Sequence, residues 1–299
     1  MAFHFKKKES STKAVRRLGR ERIAKALEQL QKCDRLEAIH SVRKEVKKVR
    51  AVLGLVREKR GRDTYRKSVK TLRAAGRLLR DARDAHVRPR TLERLAGHFK
   101  DRLPPNSFSG IKKVLRRNCL LETRKFLEGK SVSMVDRLLR KLNRRTRDLK
   151  VRAEGWMAVH SGLRESYRQG QKSLAAVRQA TSPENLHQWR KHVQDLWHQL
   201  RLLGPIHPED MRVPIDQMKA LSQYLGDDHD LVMLWQFVHR RCARWHAGEM
   251  TLLKELLELR RQELQEEAFK LGSCFYKEKP SAFCRRLENF WHTWKAAGH

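Results

Sequence analysis

The sequence predicts an all-α protein of packed antiparallel helices, arranged as two homologous units with pseudo-two-fold symmetry. Three observations carry this. Apolar residues recur at helical spacing through nearly all of the 299 residues, while strand alternation is almost absent. Gly, Pro and Asp punctuate the chain at regular intervals, giving about twelve helices. A motif in the first half also returns in the second.

The elements follow in order. A basic start, MAFHFKKKES, has no apolar h-region and is expected to be a solvated tail over residues 1–9 rather than a signal peptide. A first helix is expected over about 10–32. Asp34 with Glu37 forms a capping-box-like start for the helix carrying His40. Gly61 and Asp63 break before a third helix through Arg80. Asp84 and Pro89 are expected to open a fourth, closed by Pro104-Pro105-Asn106. Ser107 begins another, stopped near Gly129, and a further basic helix covers about 133–150. A new series starts near Trp156. Ser182-Pro183-Glu184 combines a cap, a proline at the first position and an acid in the first turn. Gly204-Pro205 ends that helix. Pro208 and Pro214 precede the next, which Gly226 is expected to end, with residues 227–230 opening another. Gly248 and Gly272 mark the last two expected breaks before a helix at about 281–296.

The repeat consists of two blocks. His40, Arg43 and Lys44 recur as His187, Arg190 and Lys191 at an offset of 147, and Leu53 and Leu55 match Leu200 and Leu202. Leu79, Asp81 and Asp84 recur as Leu225, Asp227 and Asp230 at an offset of 146. Two blocks in the same order, with one indel between them, divide the chain near residue 150.

Charge bounds the partners. The formal net charge is +34, from 68 basic and 34 acidic side chains, so polyanions will be attracted with strong salt dependence. Residues 1–150 carry 46 basic and 16 acidic side chains, against 22 and 18 in the remainder. The five cysteines lack CxxC spacing, which argues against a disulfide framework or zinc site and fits reduced cytosolic thiols. No run approaches the roughly 20 apolar residues of a membrane span.

The candidate site starts from residues 40–57. One helical face holds His40, Arg43, Lys44, Lys47 and Arg50, and another holds Val42, Val46, Val49, Leu53 and Val56. Like charges three and four residues apart repel, so a helix that keeps them together calls for an anion. Basic faces recur with Arg73, Arg77 and Arg80 on the third helix, and Arg16, Arg17 and Arg20 on the first. Arg164, Arg168 and Lys172 form another before His187. If these helices pack around the His40 helix, guanidinium forks, mobile ammonium groups and imidazoles can converge on phosphate oxygens. The competing reading is a set of ordinary solvated faces, and the duplication favours an anion site. Asp84 and Asp230 can cap helices, or can pair with the cluster and hold it in place. A metal at residues 227–230 is disfavoured, because four consecutive side chains cannot face one ion. All seven tryptophans lie in the second half, apart from most of the charge, and are expected to pack between helices. That segregation weakens a base-stacking role. No P-loop, GxGxxG, HExxH or GxSxG motif is present, so catalysis is not expected and no cofactor is called for.

The two HxxRK blocks, each followed by its Asp-containing turn within an all-helical duplication, resemble the CHAD family (conserved histidine α-helical domain) over about residues 10–296. The resemblance implies one domain, with repeats at about 10–150 and 153–296. Its fold would be two four-helix bundles with a basic cavity between them. It also implies non-catalytic binding of inorganic polyphosphate and a cytoplasmic location on polyphosphate granules. Carried over, it assigns phosphate contacts to His40, Arg43, Lys44, Lys47 and Arg50, and to His187, Arg190 and Lys191. Gln194, Asp195 and Trp197 depart from Lys47, Lys48 and Arg50 of the first copy, while His198 and Arg201 continue the face more sparsely. The first repeat is therefore expected to dominate. The alternatives are a general nucleic-acid or nucleoid binder, and a metal-dependent polyphosphate hydrolase or phosphotransferase.

Overall fold

The structure, a computed structural model, describes residues 3–31, 35–57, 62–151, 153–242 and 247–297. Among the described residues it contains eleven α-helices and no strand. In chain order they are α1 (Ser11–Gln31), α2 (Arg35–Leu55), α3 (Arg62–Leu78), α4 (Arg80–His98), α5 (Ser109–Glu128) and α6 (Ser131–Arg147). There follow α7 (Met157–Gln179), α8 (Pro183–Leu203), α9 (Pro208–Cys242), α10 (Ala247–Phe275) and α11 (Pro280–Ala296). Cys33, Asp34, Gly61 and Trp245, with the side chains of Glu37 and Cys242, lie outside the described residues.

Local signals set several ends as expected. Ser182 caps α8, its hydroxyl accepting the Asn185 N–H at 3.1 Å, with Pro183 at the first position. Gly129 follows α5 and Gly204 follows α8.

Other expected breaks do not occur. Asp84 and Pro89 lie inside α4, which starts at Arg80. Pro214, Gly226 and residues 227–230 lie inside the unbroken α9. Gly248 and Gly272 lie inside α10. Neither Asp84 nor Asp230 is an N-cap. The reason is tertiary. Asp227, Asp228 and Asp230 are engaged by Arg94, Arg261 and Arg83 at 2.8, 3.0 and 2.9 Å, so their carboxylates are occupied by neighbouring helices. A helical glycine costs about 1 kcal/mol against alanine, which such contacts offset. Gly272 makes room for an indole: a Cβ there would sit 2.5 Å from Trp189 Cζ2.

The apolar faces build three core clusters. One joins Val15 and Leu18 of α1, and Val52 and Leu55 of α2, to Tyr167, Trp189, Leu200, Met218 and Trp291 of the second half. Another packs Leu92 and Leu95 of α4 with Phe108, Ile111, Leu234 and Leu253. The third joins Ile23, Val42, Val46, Val49 and Leu53 to Leu72, Leu79, Leu139 and Leu142. Helix α1 packs on α2 and α6, and α7 on α8 and α11. Helix α2 crosses to α7 and α8, α4 lies on α5 and α9, and α9 lies on α8 and α10. Gly162 lets α7 come close to the end of α2, since a Cβ there would fall 2.0 Å from the Leu55 carbonyl oxygen.

Trp156, Trp189 and Trp291 are buried, in line with their packing assignment. The start of the chain is docked rather than loose. Phe5 is buried, its N–H donates to the Leu202 carbonyl at 3.0 Å, and its ring meets Trp291 edge-on. Lys295 Nζ donates to the carbonyls of Lys7 and Glu9, while Lys6 and Lys8 stay exposed. The aromatic between the lysines anchors what charge alone marks as a tail.

Candidate functional site

The valine and leucine face of α2 enters the core, which leaves its basic face toward α4 and α8, with Lys47 near enough to act on His229 of α9. Because α2 packs on α8, the two HxxRK copies share one neighbourhood. Arg43 Nη1 donates to the Gly76 carbonyl of α3 at 2.9 Å. Arg83 of α4 bridges the two halves: Nη1 donates to Asp84 Oδ1 at 2.9 Å and Nη2 to Asp230 Oδ1 at 2.9 Å. His187 stacks on His229 with ring centroids 4.6 Å apart. Arg50 Nε donates to Asp195 Oδ1 at 2.8 Å, so the acidic departure in the second copy neutralises a cation of the first.

The electrostatics are those of a crowd of cations. Arg43 is pushed down to about 10 by burial and by Arg83, Arg190 and Arg80, against the opposing pull of Asp84. Burial and the charges of Arg190, Arg43, Arg83 and Arg50 hold Lys47 well below its ordinary range. Arg190 is lowered by burial, and the attraction of Asp230, Asp227 and Asp84 does not compensate. Lys191 is lowered by burial and by Arg50, Arg73 and Arg80. The imidazoles follow the same pattern. His187 falls to about 4 through burial, Lys191, Arg190, Arg80 and Arg50. His229 falls to about 2 through burial, Arg190, His187, Arg83 and Lys47. His40 is lowered by burial and by Lys44, Lys47, Arg83 and His86. Arg83 alone in this group is raised, its two carboxylates outweighing burial. Lys47 and Arg190 have no hydrogen-bond partner among the described residues, and Arg190 Nε, Arg50 Nη2 and His187 Nδ1 are buried and unpartnered.

The structure thus brings together His40, Arg43, Lys44, Lys47, Arg50, Arg80, His187, Arg190 and Lys191, with Arg73 at the margin. Arg77 is exposed on the same helix as Arg73. Other basic residues lie elsewhere. Arg16 Nε donates to the Leu149 carbonyl at 2.7 Å, Arg17 pairs with Glu9, and Arg20 is exposed on α1. On α7, Arg164 lies near Cys284 of α11, Arg168 pairs with Glu165, and Lys172 is exposed. His198 is buried against Trp197, and Arg201 lies over Phe3 and Trp197, in a group that includes Lys48. Asp84 and Asp230 take the pairing role through Arg83. Arg83, His86, His192 and His229 belong to the neighbourhood and were not among the expected site residues. Arg83 and His229 occupy matched positions in the second repeated block, a signal available in the sequence. Among the described residues, no group of three or more His, Cys, Asp or Glu is placed to hold a metal ion.

Comparison with known proteins now bears on this arrangement. The model of the CHAD domain matches residues 21–239. The crystal structure of the CHAD domain from the plant Ricinus communis superimposes with a TM-score of 0.59 at 16% identity, covering 92% of this chain and 89% of that one. None of the curated proteins matches the chain.

Proposed function

The chain belongs to the CHAD family, and on that premise we propose that it binds inorganic polyphosphate without turning it over. The ligand-contacting set in this reading is His40, Arg43, Lys44, Lys47, Arg50, His187, Arg190 and Lys191, extended by Arg80 and Arg83. The two sequence repeats form pseudo-symmetric four-helix units, and the basic cavity lies between them. Asp84 and Asp230 hold Arg83 in place. The working location is the cytoplasm, on polyphosphate granules. No helix among the described residues is long and apolar enough to cross a membrane.

One observation carries the reading. Arg43, Lys47, Arg190 and Lys191, together with three histidines, are all displaced toward their neutral forms by burial and by one another. Such a cluster stores repulsion that an anion relieves, and relief on binding is affinity. Polyphosphate is a flexible chain of phosphates without bases, so it needs convergent cations and no aromatic platform. A pull-down with long-chain polyphosphate, competed by excess duplex DNA, tests this. Retention against DNA is the expected result, and equal competition would identify a general nucleic-acid binder. Phosphate release from polyphosphate with added magnesium is expected to be absent, and turnover would establish the hydrolase alternative.

A further inference from the structure

Lys47 stands apart from the lysines around it. Lys48 Nζ donates to Glu45 Oε1 at 2.7 Å, Lys191 Nζ donates to Gln188 Oε1 at 3.4 Å, and Lys44 is exposed to water. Lys47 is only partly exposed, and its amine has no hydrogen-bond or ion-pair partner among the described residues. Four arginines surround it. Arg43 and Arg50 lie four residues before and three residues after it, on the same face of α2. Arg83 comes from α4 and Arg190 from α8, and the charges of all four act on the Lys47 amine. Three of the guanidiniums are anchored: Arg43 on the Gly76 carbonyl, Arg50 on Asp195, and Arg83 on Asp84 and Asp230. The fourth, Arg190, keeps a buried, unpartnered Nε.

An amine in this setting is a nucleophile as well as a cation. Burial and the four positive charges favour its neutral form, which has a free electron pair. The guanidiniums that disfavour the ammonium are also forks for phosphate oxygens. A reagent that suits both carries a phosphate beside an electrophilic carbonyl.

We propose that Lys47 is a covalent modification site for acyl phosphates, the mixed anhydrides of a carboxylic acid with phosphate. This rests on the anion-site reading above and adds a chemical step to it. The arginines hold the phosphate, and Lys47 Nζ attacks the adjoining carbonyl carbon. A C–N bond forms and the C–O bond to the phosphate breaks. Its electron pair leaves with inorganic phosphate, whose charge the guanidiniums stabilise. The amine gives up one proton to phosphate or to water. The product is a neutral amide between the arginines, so the modified chain grips polyanions less well.

The test incubates the full-length chain with acetyl phosphate at neutral pH and maps the acetylated lysines by peptide mass spectrometry. Lys47 is expected to react at least about tenfold faster than the exposed Lys113 and Lys141, and excess inorganic phosphate should slow it by a similar factor. Acetic anhydride, which carries no phosphate, should show a several-fold smaller preference for Lys47. Acetylated protein should bind tripolyphosphate about tenfold more weakly than untreated protein, and the same treatment should change the affinity of the Lys47→Arg variant far less. The site is overturned if Lys47 reacts no faster than the exposed lysines, if phosphate does not protect it, or if acetic anhydride shows the same preference. A chain that binds tripolyphosphate but is not acetylated at Lys47 sinks the modification site and leaves the binding reading standing. Selective acetylation that inorganic phosphate blocks, in a chain that binds no polyphosphate, does the reverse.

Discussion

Arg50 is tied to Asp195, and both side chains keep about a quarter of their surface exposed, at 28% and 25%. The pair therefore contributes little to stability but removes one cation from the proposed anion site. Asp195→Asn is expected to strengthen polyphosphate binding several-fold and to raise the salt slope by about one, with the melting temperature nearly unchanged. Unchanged affinity would mean that Arg50 contacts no phosphate. Arg83 is the opposite case. Its side chain and those of Asp84 and Asp230 are only 13%, 9% and 10% exposed, so removing one carboxylate leaves a buried cation under-compensated. Asp230→Asn should cost roughly 3 kcal/mol of stability in denaturant melts. The same change should weaken anion binding, because it releases the Arg83 guanidinium that Asp84 and Asp230 hold in place. A variant that loses stability yet binds the anion more tightly would show that Asp230 merely balances the charge of Arg190 and does not position the cations.

The helices differ in how much of them the sequence reveals. The valine and leucine row of α2 and the cap at Ser182 are local, and both are legible, because periodicity and capping depend on neighbouring residues alone. Gly226, Pro214 and Gly272 carry equally clear local signals, yet helices run through them. What decides there is contact across the sequence: Arg83 and Arg94 on the carboxylates after Gly226, and the Trp189 indole over Gly272. The site divides in the same way. The HxxRK copies and the matched Arg83 and His229 are visible as a repeat, whereas the pairing of Arg83 with Asp230 and the stacking of His229 on His187 arise only when α9 meets α4 and α8. Arg16 and Arg168 were indistinguishable from site residues by spacing and are spent on a backbone carbonyl and on Glu165. The α2–α7 approach is likewise invisible in sequence. Gly162→Ala would drive a methyl group into the Leu55 carbonyl, so α2 or α7 must shift. A loss of about 1–3 kcal/mol is expected in chemical denaturation, with weaker polyphosphate binding because α2 carries the basic face. Wild-type stability in this variant would mean that the two helices are free to slide.

At the scale of the whole molecule, the net charge of +34 makes the folded state repel itself, and most of that charge sits in the first half. The histidines convert this field into a pH dependence. In an unfolded chain they take up protons near 6.5, but folded His187 does so only at about 4, and His40, His198 and His229 are lowered as well. Between about pH 6.5 and pH 4 the unfolded chain therefore binds more protons than the folded one. Stability is then present above 6.5 and lost as the pH falls through that window. Glu165 is held low by its hydrogen bond from Arg168, so its own loss of charge falls below the upper part of that window. In the proposed complex a polyanion beside His40, His187 and His229 would raise their pKa values, so binding is expected to take up protons and to strengthen as the pH falls. Thermal melts from about pH 7 to about pH 5 should show the free protein losing stability and the tripolyphosphate-saturated protein losing distinctly less. Calorimetry in two buffers of different ionisation enthalpy should report net proton uptake on binding at about pH 6. Parallel pH profiles with and without ligand, and no proton uptake, would place the bound anion away from the histidines and move the site off the α2–α8 seam.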